Sequence, residues 1–265
     1  MKKEKTTTKK AITKKAATKP TLKKKSPVIK KATSKKKASS ETTDIVCVLD
    51  RSTSIRTSGL TEKTIEGFNS FLKEQKAAPG KAKLTLCLFD GGNNFGAEAG
   101  KTYEIIHDRI DIKDVPELND KTFVPKGMTA MYDAIGNTID SIHKQFKSDK
   151  KKSDKVIFLI MTDGEENSSR EYTQETVFKL IEDRQKKDKW AFLFIGANID
   201  TMKAGGGMGI SKGNTMAYSN TGKGVNTAYL NMSASVSMFR SPGVFAKDAD
   251  LSSLLDNNGI AKEKI

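Results

Sequence analysis

The sequence is short of the residues that cross-link a fold or hold zinc. It contains two cysteines and two histidines in 265 residues. Cys47 and Cys87 each lie in an apolar run three residues before an aspartate. They read as small reduced core residues, not as a disulfide framework, which suits a reducing compartment. His107 and His143 have no companion at ligand spacing, which argues against zinc. No run approaches the ~20 apolar residues of a membrane span. The basic N-terminus is not followed by the apolar stretch of ~7–15 residues that marks a secretory signal. The expectation is a soluble, cytoplasmic protein with no membrane partner.

Negative charge is almost missing from the first forty residues. Of 47 basic and 32 acidic residues, 16 lysines and one glutamate fall in residues 1–40, so 31 of each sign remain and the net charge of +15 belongs to this segment. The rest of the chain is neutral. Residues 1–41 are read as a disordered tail, because dense lysines repel and little apolar surface offsets the ordering entropy. In composition the tail resembles those of linker histones. It could bind DNA or RNA through phosphates without reading sequence, more weakly as salt rises. It has no aromatics for base stacking. Lys23–Lys25 and Lys35–Lys37 would also serve as a nuclear import signal in a eukaryotic host.

From residue 42 the pattern changes. Apolar runs at 44–49, 84–89, 156–161 and 190–195 read as buried strands. Residues 101–107 form a shorter, more polar strand at an edge, and Thr215–Tyr218 a short strand. Helical spacing marks 60–76, 130–147, 171–187 and 224–240. The glycines between Gly205 and Gly209 read as a turn; no Gly-Lys-Ser/Thr follows them, so they are not a phosphate loop. Strands alternating with helices imply an α/β fold: a three-layer, Rossmann-like, mostly parallel sheet with helices on both faces. The domain is assigned to residues 42–240 and a C-terminal extension to 241–265, polar except for a patch at Leu251–Leu255.

In such sheets ligands bind beyond the carboxyl ends of the strands. Three pieces meet there: Asp50-Arg51-Ser52-Thr53-Ser54 after the first strand, Gly127-Met128-Thr129 before the helix of 130–147, and Thr162-Asp163-Gly164 after the strand of 156–161. Two carboxylates on strand ends, with three hydroxyls that add no charge, suit a hard cation that wants oxygen ligands. Two negative charges leave such a cation electrophilic enough to accept an outside carboxylate.

Asp50, Ser52 and Ser54, Gly127-x-Thr129 with the helix start Met131-Tyr132-Asp133-Ala134-Ile135, and Asp163-Gly164 resemble the metal-ion-dependent adhesion site (MIDAS) of the von Willebrand factor A (vWA) family. The run Phe194-Ile195-Gly196-Ala197-Asn198 and the closing helix are similar to bacterial and phage cytoplasmic members. The resemblance covers about residues 42–240. It implies that Ser52, Ser54 and Thr129 ligate Mg²⁺ or Mn²⁺ directly and that Asp50 and Asp163 act directly or through water. A partner protein's exposed Asp or Glu would complete the shell.

Simpler roles compete at some positions. Asp50, Ser52 and Ser54 could form only a turn or cap, Thr129 could be an N-cap, and Glu165 and Glu166 read as a solvated turn. Arg51 either points away from Asp50 or helps to receive an acidic partner. The loop Gly91–Gly96 is glycine-rich and reads as mobile, at the site end of the sheet. Two further functions differ in class: a nucleic-acid packaging protein with the domain as scaffold, and a metal-dependent hydrolase. The sequence offers no general base at a defined spacing for the latter, so the reading is a binder and not an enzyme.

Overall fold

A computed structural model describes residues 41–92, 101–148 and 152–244. The expected tail over 1–40, the glycine loop from residue 93 onward and the extension beyond 244 lie outside the described residues. Among those described, no helix is long and apolar enough to cross a membrane.

Six strands make one sheet. They are β1 (Thr42–Asp50), β2 (Lys81–Phe89), β3 (Tyr103–Asp111), β4 (Lys155–Thr162), β5 (Ala191–Gly196) and β6 (Thr215–Ala217), in the order β3-β2-β1-β4-β5-β6. All neighbours pair in parallel except β2 and β3, which are antiparallel. The reason lies in the connection. A parallel crossover usually needs a helix, and no helix separates β2 from β3 among the described residues. The polar strand does lie at the edge as expected, but runs to Asp111, with a register irregularity near Arg109, whose φ is 50°.

Side chains alternate across a strand, and β1 divides accordingly. Ile45, Cys47 and Leu49 join the core under helices α2 (Thr61–Ala77) and α6 (Gly222–Arg240). Val46 and Val48 join the core under α3 (Met131–Ser148) and α4 (Gln174–Asp183). Central strands buried on both faces explain why these segments read as unbroken apolar runs. Cys47 and Cys87 are free and buried, in opposite layers.

Two short helices were not foreseen: α1 (Thr53–Thr57) and α5 (Thr201–Gly207). The glycines expected as a turn partly belong to α5, which Asp200 caps by accepting from Lys203 N. Glycine is a poor helix former, but here close packing selects it. A Cβ on Gly205 would come within 2.5 Å of Thr215 Oγ1. The helix expected over 171–187 begins at Gln174 and ends in a π-turn over Arg184–Asp188.

Helices α2 and α6 are locked together at one pole. The Arg240 guanidinium donates to the carbonyls of Gln75 (2.6 Å) and Gly80 (3.0 Å), serving the orphan carbonyls at the C-terminus of α2. Gln75 Nε2 in turn donates to Ser233 Oγ and Ser237 Oγ, both at 3.0 Å.

Candidate metal centre

The site is built at the carboxyl ends of β1 and β4. Asp50 closes β1 with an Asx turn: its Oδ1 accepts from Ser52 N at 2.6 Å. Its Oδ2 accepts from Thr162 Oγ1 on β4, also at 2.6 Å. The chain then enters α1 with Ser52 in the N-cap position, yet the Ser52 side chain caps nothing. Its hydroxyl lies 2.8 Å from Ser54 Oγ, and Ser54 Oγ donates to Asp163 Oδ1 at 2.6 Å. With the Ser54 proton committed to Asp163, Ser52 is the donor of the first pair. A simple helix cap therefore does not account for these serines.

Thr129 arrives from a third loop. Gly127, at φ 65°, makes the turn that precedes it, and a Cβ there would press on Gly91 N at 3.1 Å. The loop docks on the first through Thr53 N donating to Gly127 O (3.1 Å) and Lys126 N to Arg51 O (2.8 Å). A Cβ built on Gly164 would lie 3.5 Å from Thr129 Oγ1 and 3.9 Å from Ser54 Oγ. The absent side chain of Gly164 keeps the floor between these hydroxyls open. All five predicted residues, Asp50, Ser52, Ser54, Thr129 and Asp163, thus converge at one end of the sheet.

The supporting residues were not all foreseen. Glu166, expected in a solvated turn, is a cap. Its Oε2 accepts from Tyr132 N (2.9 Å) and Ser169 Oγ (2.8 Å), and its Oε1 from Ser168 N (2.9 Å) and Ser169 N (2.7 Å). It serves one open amide in the first turn of α3, that of Tyr132, and ties the Ser168–Ser169 turn beneath it, which corrects the solvated-turn reading of Glu166; α3 begins at Met131, so Thr129 is not its N-cap. Asn167 clamps Thr129 itself, through Thr129 N to Asn167 Oδ1 (2.9 Å) and Asn167 N to Thr129 O (3.0 Å). Asp133, in the first turn of α3, accepts from the amides of Arg170, Glu171 and Tyr172, each at 2.9 Å. Glu165 remains exposed.

Arg51 points away from Asp50. It is buried, with Nε 2.8 Å from Asp90 Oδ2 and a terminal nitrogen 3.0 Å from Glu104 Oε2. Its charge is matched within the domain, which removes it as a receiver of an acidic partner. Asp90 follows β2 with the same Asx turn that Asp50 makes at the end of β1, accepting from Gly92 N at 2.6 Å.

Burial pushes the Asp50 carboxyl up to about 6, against the lowering effect of its bonds from Thr162 and Ser52. Burial also raises Asp163, against its bond from Ser54. Two buried carboxylates in one pocket call for a counter-cation, and Arg51, the cation adjacent in sequence, pairs elsewhere. Asp163 Oδ2 is buried with no hydrogen-bond partner among the described residues. Such an orphaned acceptor is costly unless something fills it. The spacings of 2.6 and 2.8 Å between oxygens suit a hydrogen bond. The 2.8 Å spacing of the two serine oxygens also suits the edge, about 2.8–3.0 Å, of an octahedron with ~2.0–2.1 Å bonds. The donor set is entirely oxygen and fits a hard divalent cation. Among the described residues no cluster of three or more His, Cys, Asp or Glu occurs, so any such ion must rely on hydroxyls.

No protein-family model and no curated protein matches the sequence. Solved structures do. The pilus adhesin SpaC from Lactobacillus rhamnosus GG aligns over 74% of this chain and 31% of its own, at 12% identity and a TM-score of 0.54. Proximal thread matrix protein 1 from the mussel byssus aligns over 76% and 46%, at 16% identity and a TM-score of 0.50. A von Willebrand factor type A structure from Catenulispora acidiphila aligns over 75% and 43%, at 13% identity and a TM-score of 0.49. The chain has the von Willebrand factor A fold. It spans less than half the length of each of these proteins. Within this vWA fold the candidate site occupies the position where the three sequence pieces were expected to meet.

Proposed function

We propose that this vWA domain is a metal-dependent protein-interaction module. Ser52, Ser54 and Thr129 would hold Mg²⁺ or Mn²⁺ through their hydroxyls, with Asp50 and Asp163 acting directly or through water. An exposed Asp or Glu of a partner protein would complete the shell. The observation that carries the reading is Asp163 Oδ2, a buried acceptor without a partner beside converging hydroxyls. When bound, the cation supplies an electrophilic centre that accepts a carboxylate.

Binding is favoured over metal-dependent hydrolysis because the sequence offers no general base at a defined spacing, and Glu166, close in sequence to Asp163, is engaged by four donors. That one structure sharing the fold is a pilus adhesin accords with a binding role. The free cysteines, buried in opposite layers, suit a reducing setting, the cytoplasm. Residues 1–40, with 16 lysines, would tether the module to DNA or RNA through phosphates.

Calorimetric titration of Mg²⁺ and Mn²⁺ into the full chain, beside Asp50→Ala and Asp163→Ala, tests the site. Saturable binding lost in both variants is expected, followed by capture of a protein partner that EDTA releases. A partner held equally well in EDTA, or metal binding indifferent to both substitutions, overturns the reading. For the tail, affinity for duplex DNA should fall steeply as salt rises.

A further inference from the structure

A pocket adjoins the metal centre. It has a volume of about 270 Å³ and is lined from the start of α3, the turn after β4 and the loop that enters α5. Two of its lining residues follow candidate ligands closely in the chain: Met131 stands two residues after Thr129, and Glu165 two after Asp163. Two residues of chain span at most about 7 Å, so the pocket begins within one side-chain length of the candidate ligands. Its volume lies below the ~300–1,000 Å³ of small-molecule sites and is of a scale for one long side chain.

The lining divides by exposure. Met131 is buried and Tyr132, Ile199 and Ala204 are half-buried, which makes an apolar wall. Glu165, Asp200 and Lys203 are exposed and form the mouth. Together with Glu166, three carboxylates in the lining stand against one ammonium. Asp200 also caps α5, its Oδ1 accepting from Lys203 N at 3.1 Å. An apolar wall behind a negative mouth fits a side chain with a long aliphatic stem and a cationic head. A purely apolar residue would desolvate the carboxylates without pairing them, and an acidic one would be repelled.

We propose that this pocket receives a lysine or arginine of the same partner whose carboxylate reaches the metal. In an extended strand alternate side chains lie on one face, about 6.6 Å apart. A basic residue two positions from the acidic one therefore reaches the pocket while the carboxylate sits on the cation. The proposal rests on the metal-dependent reading above and adds the partner's second anchor, of opposite charge to the first.

Three peptides test it with the full chain in Mg²⁺, by fluorescence anisotropy: Ala-Arg-Ala-Asp-Ala-Arg-Ala, and the same peptide with both arginines replaced by alanine or by leucine. Arginine on both sides of the aspartate serves either chain direction. The arginine peptide should bind about fivefold tighter than the alanine peptide, and the advantage should shrink as salt rises. In Glu165→Gln/Asp200→Asn the advantage should vanish, because the mouth loses two charges while asparagine keeps the cap on α5. Mg²⁺ affinity of this variant, measured by calorimetry, should stay within about threefold of the unsubstituted chain, since the exposed charges are screened. Equal affinity for the arginine and alanine peptides overturns the proposal, as does an arginine advantage that survives in the variant, or a leucine peptide that binds as tightly. No binding of any peptide by a chain that does bind Mg²⁺ also overturns it, and in each of these cases the metal site stands. Failure of the unsubstituted chain to bind Mg²⁺ overturns the metal reading, and the proposal with it.

Discussion

Ser54 Oγ donates a 2.6 Å hydrogen bond to Asp163 Oδ1 across 109 positions of sequence. This contact joins the loops after β1 and β4 and leaves the other Asp163 oxygen buried and unpartnered. Substituting Asp163→Asn keeps the shape and removes the charge. Because burial raises the Asp163 carboxyl, the metal-free domain should melt at an equal or higher temperature in EDTA, while Mg²⁺ affinity falls about tenfold or more. Paired melting curves and calorimetry check this. A variant that loses stability in EDTA and binds metal as before would contradict it.

Metal binding should depend on pH through Asp50. Its folded carboxyl lies at about 6, above the ~3.9 of an unfolded aspartate. In the metal-free domain this group therefore contributes stability below about pH 4 and loses it as pH rises through 6. A cation reverses the preference by favouring the ionised form. The melting temperature gained on adding Mg²⁺ should grow from pH 5 to pH 7.5, and affinity should rise about tenfold over the same range. Affinity that is flat between these values would remove Asp50 from the site.

Arg51 tests whether its charge serves the fold or a partner. Arg51→Met leaves Asp90, only 1% exposed, without its cation. Removing one member of a buried pair costs about 3–5 kcal/mol. Thermal denaturation should show a large drop for Arg51→Met and a partial one for Arg51→Lys, which cannot bridge Asp90 and Glu104 as a fork. Unchanged stability with weakened partner capture would return Arg51 to the interface.

Glu166→Ala should act at a distance from the ligands. It strips four hydrogen bonds from the opening of α3 and the turn that clamps Thr129. A loss of about 2 kcal/mol is expected, or roughly 4–8 °C in melting temperature for a domain of this size. Metal affinity should weaken as Thr129 loosens, and Glu166→Gln should recover part of both. Equal behaviour of Ala and Gln variants would show that the carboxylate shape does not matter.

The sequence by itself determined the layers and the five candidate ligands. Central strands such as 44–49 and 156–161, buried on both faces, must be continuously apolar, and that pattern survives without tertiary knowledge. The strand-end motifs Asp50-x-Ser52-x-Ser54 and Asp163-Gly164 are local, so spacing alone located them. What only the tertiary structure decided depended on partners far away in sequence. Glu166 became a cap because the start of α3 lies over its turn, and Arg51 turned from Asp50 because Asp90 and Glu104 met it on β2 and β3. Gly205 and Gly207 stand in a helix, despite glycine's backbone entropy, at positions where a Cβ would run into Thr215 and Gln174. The direction of β3 accords with a connection in which no helix occurs among the described residues. Periodicity reports which face a residue shows to the core, but a charge or a glycine takes its role from whatever the fold brings within 3 Å of it.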